Sequence, residues 1–122
     1  MLTLLPVILI LISSPVEADW EKFATTADGS VETFYDQSRV KYDKDLIYIW
    51  VRYRLNDSEK STKSMEQQQK LNCTRRTYVR LEARTYRDIE WKNIKENIQP
   101  SFKEHQIRDG STVDTLAQIL CQ

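Results

Sequence analysis

The sequence predicts an α+β domain: a single antiparallel β-sheet of about five to six strands in meander order, with a C-terminal α-helix packed on one face and joined to it by a disulfide. Three observations carry that expectation. Leu46–Leu55, LIYIWVRYRL, alternates Ile47, Ile49, Val51, Tyr53 and Leu55 with Tyr48, Trp50, Arg52 and Arg54, and its β-branched and aromatic side chains suit a pleated, half-buried surface. Turn-forming residues recur at short intervals ahead of it, as antiparallel neighbours require. From Ser111 the pattern changes: Val113, Leu116, Ala117 and Leu120 recur at helical spacing and the run ends at Cys121.

Taken in order, Asp19 to Thr25 is weakly strand-like, and the turn signal Asp28-Gly29 joins it to Val31–Tyr35 as a hairpin. Asp36-Gln37-Ser38 turns the chain into Arg39–Tyr42, and Asp43-Lys44-Asp45 turns it again into the Leu46–Leu55 strand. Asn56 to Ser64 is polar without apolar period and reads as an exposed, mobile loop. Strand character returns near Gln68 and runs to Arg87. That is long for one strand, so a bulge or bend is expected near Thr74–Thr77. Ile89–Trp91 reads as a short strand, although Trp91, Ile94 and Ile98 also fit a helical stripe. Gln99-Pro100-Ser101 breaks what precedes it, and Ser111 with Asp114 three residues on forms a capping pair that opens the final helix.

The first eighteen residues read as a signal peptide. Leu2 to Ile12 is apolar apart from Thr3 and Pro6, and Val16-Glu17-Ala18 places small or neutral residues where cleavage after Ala18 needs them. The run is shorter than the roughly 20 apolar residues of a membrane span. An uncleaved anchor is the alternative, because no Lys or Arg precedes the run. No cysteine lies in this segment, so lipid attachment is not expected. Residues 19–122 then form one domain, released into the periplasm or secreted, with no membrane insertion. The 18 Lys+Arg and 18 Asp+Glu balance, which argues against a general nucleic-acid binder. Cys73 and Cys121 belong to no CxxC pair or metal cluster, and in an oxidising compartment they most simply form one disulfide; two free thiols would suit a cytosolic chain.

The candidate protein-binding face is the aromatic and basic one: Tyr48, Trp50, Arg52 and Arg54, with Arg76, Tyr78, Arg80, Arg84 and Tyr86 if the long strand pairs nearby. Two copies burying this face would make a homodimer. The plainer reading is a solvated face held by cross-strand cation–π and Glu–Arg pairs. No cofactor motif is present. Asp43 and Asp45 read as turn residues and not as metal ligands, and His105, the only histidine, reads as a surface loop residue. No nucleophile, base and orienting group can be assembled, so the chain is not expected to be an enzyme.

In the order Trp20, Val31-Glu32-Thr33-Phe34-Tyr35-Asp36, Ile49-Trp50-Val51, Asn72-Cys73-Thr74-Arg75-Arg76-Thr77-Tyr78 and Asp109-Gly110-Ser111 to Leu120-Cys121, the chain resembles the bacterial surface-adhesin protein E family. The resemblance implies an antiparallel sheet with a disulfide-held C-terminal helix, a bacterial envelope location and binding to host extracellular proteins. It supplies no binding residue. A periplasmic inhibitor or accessory protein acting on an exported enzyme or envelope complex is the alternative function.

Overall fold

The computed structural model describes residues 17–122, so the expected signal segment lies almost wholly outside the described residues. Eight strands form one antiparallel sheet: β1 (Trp20–Thr25), β2 (Val31–Asp36), β3 (Lys41–Asp43), β4 (Leu46–Leu55), β5 (Ser64–Asn72), β6 (Thr77–Tyr86), β7 (Ile94–Ile98) and β8 (Glu104–Gln106), followed by the helix α1 (Thr112–Leu120). The main order is β1-β2-β4-β5-β6-β7. The short strand β3 continues the sheet beside Leu46–Tyr48 of β4, and β8 does the same beside Thr77–Val79 of β6. The fold class agrees with the sequence expectation, and these two short strands account for the higher strand count.

The core lies between the sheet and α1. Ile47, Ile49 and Val51 of β4 are buried with Tyr35, Leu71, Leu116 and Leu120, and Phe23, Val113 and Cys121 pack against them. Tyr53 also packs against this core, and both it and Leu55, at the end of β4, are half-buried. Ser111 caps α1 by accepting from the Asp114 amide (3.1 Å), and the Asp114 carboxylate accepts from the Gly110 amide (2.9 Å) and the Arg76 guanidinium (2.9 Å). Gly110, at φ 79, supplies the left-handed turn into the helix. The Cys73–Cys121 disulfide spans 48 residues and ties the far end of α1 to the β5–β6 turn. In the chain-entropy model it contributes about 4 kcal/mol.

Three sequence expectations are corrected. The long strand from Gln68 to Arg87 is two strands, β5 and β6, joined by a turn in which Asn72 Oδ1 accepts from the Arg75 amide (3.0 Å) and Arg76 takes φ 53. β5 begins at Ser64 and not near Gln68, and the loop before it is closed by Leu55 N to Lys63 O and Lys63 N to Tyr86 O. Residues 87–93 form neither strand nor helix. The Asp88 carboxylate accepts from the amides of Glu90, Lys92 and Asn93, a set of bonds that curls the backbone and delays the strand to Ile94.

Candidate protein-binding surfaces

On the face opposite α1, three arginines and four aromatic rings alternate in one stack. Arg39 lies over Trp50 (5.3 Å) and Trp20 (5.7 Å), Arg52 over Trp20 (4.2 Å) and Trp91 (4.7 Å), and Arg54 over Trp91 (5.0 Å) and Phe34 (5.3 Å). Antiparallel register builds the middle of the stack, since Phe34 of β2 faces Arg52 of β4 and Trp20 of β1 faces Asp36. The Asp88 turn adds Trp91, whose indole N–H reaches Met65 O (3.0 Å) and whose ring meets Phe34 edge-on at 5.8 Å. The Arg54 Nε also bonds Ile89 O (3.3 Å), so residues 89–91 cover part of a face that the sequence reading left open.

Carboxylates neutralise this stack. Arg52 pairs with Glu66 (2.7 Å), which Arg84 also approaches (4.0 Å); Arg54 pairs with Glu32 (3.6 Å); Arg39 pairs with Asp36. Burial alone would raise the Asp36 carboxyl, yet the bonds from Ser38 and Arg39 and the amides of Asp19 and Ser38 outweigh it and hold it below the usual carboxylate range. Hydrogen bonding by Asn56, aided by Lys22 and Arg54, likewise lowers Glu32. With its charges matched and its rings engaged, the face has the interactions of a structural brace.

The expected binding set is divided between two faces. Tyr48, Trp50, Arg52, Arg54, Arg84 and Tyr86 share the brace side, with Tyr86 buried. Arg76, Tyr78 and Arg80 lie on the helix side. The cause is a β-bulge: Gln68 faces Glu82 and Gln69 faces Arg80, so Leu81 is an extra residue that reverses the alternation along β6. The same shift puts Val79 opposite Lys70 on the brace side. Arg76 then reaches Asp114 of α1, and Tyr78 stacks on His105 at 5.2 Å. His105 is therefore a strand residue of β8 and not a loop residue.

Beyond α1, the helix side of the sheet is uncovered toward β7. There Met65, Gln67, Arg80, Leu81, Ala83 and Ile98 line most of a cavity of about 240 Å3 beside Gln99 and Ser101. Gln67 is 5% exposed; its Oε1 accepts from Gln69 Nε2 (3.0 Å), which also donates to Tyr53 Oη (3.0 Å), and its amide nitrogen has no partner among the described residues. Gln69 Oε1 and Thr85 Oγ1, on the same face, have no partner among the described residues. Arg80 makes no ion pair among the described residues. Ile98 of the cavity lining is exposed, and Phe102, next in sequence to the lining residue Ser101, is 69% exposed at φ 55, a backbone conformation that bulky residues rarely adopt. A larger hollow of about 430 Å3 lies between β8 and the start of α1, where Ser111 and Asp114 already engage the helix-start amides.

The sequence reading named Trp50, Arg52, Arg54 and Arg80 but not the rest of either arrangement. Trp20, Phe34, Arg39 and Trp91 join the brace from four separate segments, and the strands around Gln67 read as plain polar sequence. The αL backbone at Phe102 has no sequence signal, since glycine and asparagine are the residues that usually announce it.

The family model for surface-adhesin protein E matches residues 20–122. No curated protein matches the chain. Among solved structures, crystal form II of Haemophilus influenzae protein E superposes with a TM-score of 0.59 at 16% identity, covering 88% of this chain and 91% of that one. Its selenomethionine form gives 0.59 at 15%, covering 88% and 90%. Protein E from non-typeable Haemophilus influenzae gives 0.53 at 18%, covering 86% and 85%. These likenesses concern the fold, and the family match spans almost all the described residues: the chain belongs to the surface-adhesin protein E family.

Proposed function

We propose that the chain is an exported, non-enzymatic binding protein, delivered to the periplasm or secreted, that attaches to host extracellular proteins through the helix side of its sheet near β7. Family membership supports the adhesin class. The observation that carries the choice of surface is Phe102, an exposed ring on a strained backbone, adjacent in sequence to Ser101 of the cavity that Gln67, Arg80 and Ile98 also line. An exposed apolar group held at conformational cost contributes nothing to this chain's own core and suits a partner's. Arg80 and the Gln67 amide provide hydrogen-bond donors within that apolar setting, the mixture found at interface centres. The brace face is a poorer contact surface, since binding there would first break ion pairs and ring stacking already made.

The test is titration of residues 19–122 over immobilised extracellular-matrix proteins at physiological salt. Saturable binding that Phe102→Ser weakens by tenfold or more supports this reading. Absence of saturable binding to every matrix protein removes the host-protein function, and binding unaffected by Phe102→Ser and Arg80→Ala removes the surface.

A further inference from the structure

Near the start of the described residues, one hydrogen bond is unusual in its chemistry. The backbone nitrogen of Asp19 lies 2.9 Å from Asp36 Oδ1, and the Asp36 carboxylate is fully buried (0% exposed) at the end of β2. Asp36 also accepts from the Ser38 amide (3.0 Å), the Ser38 hydroxyl (2.6 Å) and Arg39 Nε. The Gln37 amide closes the pair by donating to Asp19 O at 2.8 Å. Glu17 and Ala18, immediately before it, are exposed. The last residue of the expected signal peptide is thus accessible, while the next residue's nitrogen points at a buried negative charge.

We propose that Asp36 is the receptor for the amino terminus created by cleavage after Ala18, so that removal of the signal segment locks β1 into the sheet. The inference rests on the export reading. Hydrolysis adds water across the Ala18–Asp19 peptide bond: the oxygen goes to Ala18 as a carboxylate, and the Asp19 nitrogen becomes an amine that is protonated near neutral pH. An export-associated peptidase supplies the catalysis. A neutral amide N–H bonded to Asp36 is replaced by an ammonium group at the same place, which is a stronger, charge-assisted bond. Trp20, next in the chain, belongs to the brace, so the lock also fixes the ring beneath Arg39 and Arg52.

The groups facing the site define its pH behaviour. Arg39 donates to the same carboxylate through its Nε. Glu21 from β1 accepts from the Gln37 side chain, and burial, with the Glu21 and Asp19 carboxylates nearby, raises the Tyr35 phenol. An ammonium paired with Asp36 has a raised pKa in the folded state. Its stabilisation is complete below the ordinary α-amino value of about 8 and disappears as pH rises through the raised one.

The experiment compares three amino termini: Asp19 with a free amine, released from an amino-terminal fusion by a protease that leaves no added residue; Asp19 acetylated; and a form beginning at Glu17. Each is made with Asp36 and with Asp36→Asn. At pH 7 the free-amine form should melt about 4 °C or more above the other two. The gap should vanish in Asp36→Asn and above pH 10. A gap below about 1 °C, well under the shift expected from one charge-assisted bond, overturns the lock. A gap that survives Asp36→Asn does the same. If the asparagine variants do not fold, the Asp19 α-amino titration followed by NMR decides, since a value at or below about 8 contradicts pairing. Intact mass of protein recovered from an exporting cell separates the two readings. A first residue of Asp19 agrees with both; another cleaved terminus overturns the receptor; uncleaved protein retained in the cytoplasm overturns export.

Discussion

Replacing Arg52 with alanine should be among the most damaging changes on the brace face. Arg52 lies over Trp20 at 4.2 Å and Trp91 at 4.7 Å, and its Nε is 2.7 Å from Glu66. Its side chain is 24% exposed and that of Glu66 only 8%, so neither contact is fully screened by water. Two partly buried cation–π contacts at about 0.5 to 1 kcal/mol each give between 1 and 2 kcal/mol. Glu66 would keep only Arg84, at 4.0 Å, and a buried carboxylate losing its nearest partner adds about 1 to 3 kcal/mol. A total of about 3 kcal/mol corresponds to a fall in melting temperature of about 12 °C for a domain of this size. The assay is urea unfolding followed by tryptophan fluorescence, which reports directly on Trp20 and Trp91. Arg80→Ala is the internal comparison, because Arg80 is exposed and makes no ion pair among the described residues, and should change stability by no more than about 0.5 kcal/mol. An Arg52→Ala loss below about 0.5 kcal/mol, or an Arg80→Ala loss of equal size, would refute the brace.

Further outcomes follow from the same contacts. The double variant Cys73→Ser, Cys121→Ser should lose about 4 kcal/mol, read as a lower urea midpoint, since nothing else crosslinks α1 covalently to the sheet. Asp36 has a folded-state value held below its ordinary one, so its contribution is present above the ordinary carboxylate range and is lost as pH falls through the depressed value. Asp36→Asn should therefore lower stability at pH 7 and flatten the decline on acidification, measured by thermal unfolding from pH 7 to pH 2. Phe102→Gly should raise the melting temperature slightly, by relief of a left-handed backbone worth about 1 kcal/mol, even as it removes the proposed contact ring; a marked fall would show that the ring supports the fold.

Much of the architecture was legible because it depends on local periodicity. The two faces of β4, the Ser111 cap and the apolar stripe of α1 are each specified within about ten residues, and two isolated cysteines left one pairing. The bulge was not legible. Nothing in Val79 to Ala83 distinguishes an extra residue from continued alternation, yet that one residue sends Arg76, Tyr78 and Arg80 to the helix side. β5 was seen late because Ser64 to Lys70 is polar apart from Met65. Its strand is fixed by pairing with β4 and β6 and by Glu66 meeting Arg52, interactions that local propensity does not record. The Asp88 turn placed Trp91 on the brace through three amide bonds, which outweighed its apparent helical spacing.

The sheet divides labour between a self-satisfied brace and an exposed contact edge. The most direct measurement is the affinity of residues 19–122 for an immobilised matrix protein, compared among the unaltered chain, Phe102→Ser and Trp50→Ala, each confirmed folded by its near-ultraviolet circular dichroism. The account predicts that Phe102→Ser weakens binding at least tenfold with an unchanged melting temperature, while Trp50→Ala lowers the melting temperature and leaves affinity intact. Loss of affinity in Trp50→Ala with full binding by Phe102→Ser would contradict it.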